Sequence, residues 1–210
     1  MDNHVEGLYE LFMFWYGCPK IIKHINKYKY TESSLRAQWD NVWFSKTKEI
    51  DHAMRVKFGH LIHSLLEYLP TNLFEKVGKM LLYDQVTRNI YRNTSQAYDY
   101  DNIARTLAYD IINEKIYGNL PLYIKISVIL TLIHSENIED HDFVTTQLDA
   151  IKEMHPYECG GVVRTLIEIA KRHRVRIEMF GRLPERAVIK NLKLSDVERL
   201  FLSNITSLLR

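Results

Sequence analysis

Met80-Leu-Leu-Tyr-Asp-Gln-Val-Thr-Arg-Asn-Ile-Tyr-Arg-Asn93 places charge where a helix ought to be apolar. Continued from a helix that begins near Leu73, at about 100° per residue, the stretch sets Asp84 and Arg88 among Leu73, Val77 and Leu81. An acid and a base four residues apart then share the stripe that faces the core. Burying either charge alone is strongly unfavourable, so the pair predicts mutual partnership or a ligand.

Outward from this helix, nearly every segment has a helical period, and no alternating apolar–polar run is bounded by hairpin turns. Upstream, a first helix is expected over Val5 to Tyr16, closed by Gly17-Cys-Pro19, then a short helix and loop over Lys20 to Ser34. Trp39, Val42, Trp43 and Phe44 form an aromatic knot suited to core packing or to the lid of a cleft. A long helix is expected from Lys48 to Tyr68, stopped by Pro70, with Thr71 capping the helix that carries Asp84. Downstream come helices over Asp101 to Glu114, Leu120 to Ile133, Asn137 to Met154, Gly161 to Phe180 and Ser195 to Leu209. Ser195 and Glu198 have the spacing of a capping box. Short turns between consecutive helices predict one all-α domain over residues 1–210, an irregular antiparallel stack or bundle of helices. No repeat of thirty-odd residues recurs.

Composition narrows the function. With 28 basic and 26 acidic residues the net charge is only +2, and the run Lys171-Arg-His-Arg174 spreads around its helix instead of forming one basic stripe. Nucleic acid is therefore not an expected partner. The N-terminus lacks a secretory pattern, and the apolar run from Leu120 contains Lys125 and is short for a bilayer, so no membrane association is expected. Cys18 and Cys159 stand far apart, as buried thiols of a cytoplasmic protein would. His60 and His63, and the acidic stretch from His134 to Asp142, contain metal-ligand types. Solvation and helix-dipole effects account for them as well, and neither a metal nor another cofactor is expected.

Two further helices carry polar groups inward. In the central helix from Leu120, Ser127, Thr131 and His134 form a stripe that leads into Ser135-Glu136. In the helix from Gly161, His173 projects among Leu166, Ile169, Ala170 and Ile177, with Arg172 and Arg176 at the edge of that face. Phe180-Gly-Arg-Leu-Pro-Glu-Arg186 follows, where Gly181 stops one helix and Pro184 opens a short one, so that Arg182 and Arg186 project from a rigid loop. Guanidinium groups held this way suit carboxylate or phosphate recognition.

These landmarks, in this order, resemble the bacterial domain of unknown function 924 family. They are Phe14-Trp-Tyr-Gly17, Trp43-Phe44, Asp51 with Arg55 and Phe58-Gly59, Asp84-Gln85 with Arg88-Asn89, His134-Ser-Glu136, Arg172-His-Arg174, and Phe180-Gly-Arg182 with Pro184 and Arg186. The resemblance implies a tetratricopeptide-like helical fold and carries no established activity. Where the family pattern reads Phe-Pro before Arg-Asn, this chain has Val86-Thr87, and after Pro184 it has Glu185-Arg186-Ala187 in place of His-Arg-Asn.

The expected site is a groove lined by Asp84, Arg88, Asn89, His134, Glu136, Arg172, His173, Arg182 and Arg186. Its first expected use is binding, with a small anionic ligand or an acidic protein segment as partner. The alternative is an enzyme in which an arginine holds a phosphorylated or carboxylated substrate and His134 or His173 serves as general acid or base. No nucleophile elbow, Walker loop or HExxH motif accompanies the site. In a third reading the charged pairs only set helix register in a structural subunit.

Overall fold

The computed structural model describes residues 3–17, 31–154 and 160–208, and these form helices and turns with no strand among them. The chain runs through α1 (Asn3–Tyr16), α2 (Glu32–Gln38), α3 (Lys48–Phe58), α4 (Leu61–Ser64), α5 (Leu73–Leu81) and α6 (Thr87–Ile90). It continues through α7 (Asp101–Ile112), α8 (Leu122–Ile133), α9 (Ile138–Met154), α10 (Gly160–Phe180), α11 (Pro184–Ile189) and α12 (Asp196–Leu208). The expected all-α class is the one observed. Cys18, Cys159 and most of the stretch over 20–34 lie outside the described residues.

Local chemistry sets the helix ends. The Thr31 and Thr47 hydroxyls accept the backbone N–H of Ser34 and Ile50, which caps α2 and α3. The capping box of α12 is formed in both directions, Ser195 N–H donating to Glu198 at 2.7 Å and Glu198 N–H to the Ser195 hydroxyl at 3.2 Å. Gly17 and Gly181 end α1 and α10 with φ of 64° and 66°, a left-handed turn that favours glycine. Two expectations need correction. The cap of α5 is Asn72, not Thr71; Asn72 accepts the Glu75 N–H, while Thr71 donates its N–H and hydroxyl to the Glu75 carboxylate. The helix expected over Lys48 to Tyr68 breaks after Phe58, and the chain resumes a helical turn at Leu61. Met54 and Phe58 before the break and Leu61, Ile62 and Leu65 after it are all buried in the core.

Helices that pack on one another form a series. α5 lies between α1 and α7, α7 meets α8, α8 meets α9, and α9 meets α10, which also touches α8 and α2. Gly78 permits the approach of α5 to α1, since a Cβ there would stand 3.0 Å from the Leu8 carbonyl oxygen. α8 is the central element, with every residue from Tyr123 to Ile133 buried. Lys125 is tolerated there because its ammonium turns back to the Gly118 carbonyl, 2.7 Å away.

Two helical turns are wider than the α-helical norm, Trp39–Trp43 and Leu82–Val86. In the second, the Thr87 N–H reaches back to Leu82, one residue beyond the usual acceptor. The wide turn joins α5 to α6 without a loop and carries Asp84. Such turns shift the phase of a helix, and Asp84, within this one, meets His134 at the end of α8.

Candidate functional site

Asp84 is 1% exposed and is the hub of the polar interior. Its Oδ1 accepts the His134 Nδ1–H at 2.8 Å and lies 2.8 Å from Arg88 Nη1. Oδ2 accepts the Gln85 amide and lies 3.2 Å from the Thr131 hydroxyl. Burial by itself would raise this carboxyl, but Arg88 and His134 more than reverse that and hold it well below the usual carboxylate range. The carboxylate therefore fixes the His134 tautomer, proton on Nδ1, and leaves the Nε2 lone pair without a partner among the described residues. Burial, with Arg88 nearby, keeps this imidazole below its ordinary value despite Asp84.

From Asp84 the charges alternate across four elements. Arg88 on α6 also approaches Asp101, the first residue of α7, at 2.9 Å. Asp101 faces Arg186 of α11 at 3.2 Å, and Arg186 stands 3.9 Å from Glu136 while donating to the His134 carbonyl at 2.8 Å. The Asp101 contacts are close enough to pair electrostatically, yet both of its oxygens are buried without a hydrogen bond. Burial pushes the Asp101 carboxyl up, and Arg88 and Arg186 only partly offset this. Tyr98 underlies the arrangement, its ring 4.7 Å from the Arg186 guanidinium and 5.7 Å from both Arg88 and Lys190.

His173 enters from α10, its ring centre 6.4 Å from that of His134. Its Nδ1 donates to the Ile169 carbonyl at 3.0 Å, which again leaves Nε2 as the free nitrogen. Burial chiefly, with His134 beside it, pushes this imidazole down to about 3. Both histidines are therefore neutral bases at physiological pH.

Three lobes of open space meet at His134. The first, about 160 Å³, is lined by acids and bases alike, Asp84, Asp101 and Glu136 facing Arg105, Arg186 and Lys190. The second, about 280 Å³, is lined by Arg88, Arg92, Arg186, both histidines and Tyr98, and Glu185 is the acid among its described lining residues. The third, about 150 Å³, is lined by Arg88, Arg92 and Lys46 together with Trp43, Phe44 and Asn89, and none of its described lining residues is acidic. The carboxylates that pair with these arginines, Asp84, Asp101 and Asp51, lie outside the linings of the second and third lobes. Among the described residues no three His, Cys, Asp or Glu side chains gather as a metal site would require.

Of the residues expected from the sequence, Asp84, Arg88, His134, Glu136, His173 and Arg186 border this cleft, and Asn89 joins them on the third lobe. Arg172 is exposed on α10 and lines none of the three lobes. Arg182 turns to α12, where it grips Glu198 at 2.6 and 2.9 Å and the Lys193 carbonyl at 2.8 Å. Sequence reasoning missed Arg92, Tyr98 and Asp101. Arg92 could have been suspected from its place four residues after Arg88, although it lies in the turn that follows α6; it pairs with Asp51 through bonds of 2.7 and 2.6 Å. Asp101 looked like an ordinary acid at a helix start, and Tyr98 carried no signal.

Residues 11–205 match the sequence profile of a family described as a bacterial protein of unknown function, DUF924. The chain belongs to this family. No curated protein matches it. A solved structure of a protein of unknown function from Agrobacterium tumefaciens is similar, with 25% sequence identity, a TM-score of 0.62, and coverage of 77% of this chain and 88% of that one. Family membership extends over the whole cleft, since Asp84, Arg88, His134, His173 and Arg186 all fall within the matched residues. It agrees with the resemblance read from the order of landmarks and assigns DUF924 proteins no activity.

Proposed function

We propose that this DUF924 protein is an intracellular binding module for a small anionic ligand, a phosphorylated or carboxylated compound held in the second and third lobes of the cleft. One observation carries the reading: Arg88, Arg92 and Arg186 converge on a 280 Å³ space whose described lining contains a single acid. Their counter-ions neutralise them from behind without closing the space, so an incoming anion meets guanidinium N–H groups before it meets carboxylate. Volumes of 150 and 280 Å³ suit a metabolite-sized ligand better than a length of polypeptide. An intracellular setting agrees with the lack of a CxxC pair in the sequence.

The reading is tested by a thermal-shift screen of phosphorylated and carboxylated compounds, repeated on Arg92→Gln. Stabilisation by at least one anion class, reduced in the variant and weakened by salt, is expected. An unchanged melting profile across the whole screen overturns it.

The Asp84–His134 pair favours a second reading, an enzyme acting on the same anion. A carboxylate that fixes Nδ1–H and leaves Nε2 open is the arrangement of an oriented general base. His134 Nε2 would remove the proton of a water or substrate hydroxyl beside the anion held by Arg88. Turnover of a bound anion that is lost in His134→Gln, with binding retained, distinguishes this reading from binding alone.

A further inference from the structure

The third lobe is walled by two aromatic rings, Trp43 and Phe44, where each of the other two has Tyr98, and the anion reading leaves that wall without a role. Trp43 and Phe44 face Arg88, Arg92 and His134 across about 150 Å³, a size sufficient for a benzene ring. Both aromatic rings are braced from behind. Trp43 stacks on Trp15 with centroids 5.9 Å apart and planes 6° apart, and its indole N–H is held by the Trp15 carbonyl at 2.7 Å. Phe44 stacks on Trp39 at 4.2 Å, yet is 37% exposed. An aromatic side chain supported on one face and open on the other presents a preformed stacking surface. The wide turn Trp39–Trp43 sets this shelf, ending with the Phe44 N–H bonded to the Trp39 carbonyl at 2.9 Å. Because the second and third lobes share Arg88, Arg92 and His134, an anionic group at the arginines and a ring on the shelf can belong to one molecule.

We propose that the ligand of this cleft is an aromatic anion, with its phosphate or carboxylate at Arg88 and Arg92 and its planar ring stacked against Phe44 beside Trp43. This rests on the anion-binding reading above. Arg88 and Arg92 line the same lobe, and guanidinium groups beside a bound ring favour a π-face over an alkyl group of equal size.

The full chain is titrated calorimetrically with inorganic phosphate, phenyl phosphate, cyclohexyl phosphate, benzoate and acetate. Phenyl phosphate is expected to bind at least about tenfold more tightly than inorganic phosphate and about fivefold more tightly than cyclohexyl phosphate. If the natural anion is a carboxylate, the same ordering appears between benzoate and acetate. Phe44→Ala should remove the preference for the ring, whereas Phe44→Trp should keep it. Equal affinity for phenyl and cyclohexyl phosphate, or a preference that survives Phe44→Ala, overturns the aromatic assignment and leaves the anion site standing. Failure of all five probes removes both.

Discussion

Asp84 Oδ1 stands 2.8 Å from His134 Nδ1, although the two residues are 50 positions apart in the chain. The same oxygen lies 2.8 Å from Arg88 Nη1, so one buried carboxylate fixes a base and neutralises a cation. Its removal should therefore have a structural and a chemical consequence that can be separated.

Asp84→Asn keeps the shape and removes the charge. With Arg88 and His134 left against a neutral amide, the fold should lose about 3–5 kcal/mol, as for other broken buried pairs. For a chain of this size that is roughly 10 °C in melting temperature, measured by calorimetry or urea denaturation. The His134 imidazole should also lose its single tautomer, visible in its ring-nitrogen NMR shifts. A stable variant with an unchanged His134 spectrum would remove Asp84 from the centre of the site.

Acid should destabilise the protein earlier than its carboxylates alone would require. His173 has its folded pKa depressed to about 3 from an ordinary 6.5, and that of His134 is also lowered. For a base with a depressed folded pKa, the unfolded chain takes up the proton first. Stability is then full above pH 6.5 and falls as pH drops from there toward 3, by up to about 1.4 kcal/mol per pH unit for His173, with His134 adding in the same direction. Asp84, also depressed, adds its own loss only below its ordinary 3.8. Urea midpoints at pH 8 and pH 5 should differ clearly, and the difference should shrink in His173→Gln.

Arg186 and Arg182, four residues apart, should behave differently. Arg186→Ala strips a guanidinium that is 8% exposed from Asp101 and from the His134 carbonyl, so a loss of about 3 kcal/mol and at least tenfold weaker anion binding are expected. Arg182 holds Glu198, whose carboxyl it pulls down to about 2 together with the Ser195 N–H. Arg182→Ala should loosen α12, lowering the melting temperature by a few degrees, with anion affinity unaltered. Hydrogen exchange confined to α12 would localise the effect, and a loss of anion binding in this variant would extend the site beyond the three lobes.

Gly78→Val tests the packing that holds the site in place. Its Cβ would meet the Leu8 carbonyl at 3.0 Å and Leu8 Cβ at 3.2 Å, and the branched methyls have no room between α5 and α1. A destabilisation of about 2–3 kcal/mol is expected, read by urea denaturation. A neutral effect would show that α1 can shift away from α5.

Much of the cleft was legible because buried charge is costly and therefore conspicuous. Asp84 and Arg88 interrupt an apolar stripe, His134 ends an apolar helix, and His173 sits on an inner face; each violates its local pattern, and all border the cleft. Arg182 and Arg186 looked alike in the same loop, and only their surroundings separate them, Glu198 taking one and Asp101 the other. Asp101 escaped notice because an acid in the first turn of a helix already has a sufficient explanation in the helix dipole.

By itself, the chain determined the all-α class, most of the helix ends and the identity of the polar intruders, because caps, glycine stops and apolar periodicity act over a few residues. Only the tertiary structure decided which intruders meet. The wide turn at Leu82–Val86 re-phases α5 into α6, and the packing of α7, α8 and α11 brings Asp101, His134 and Arg186 to the same point. Those contacts depend on where whole helices lie relative to one another, which is set by the summed burial of many apolar side chains and by no short stretch of sequence.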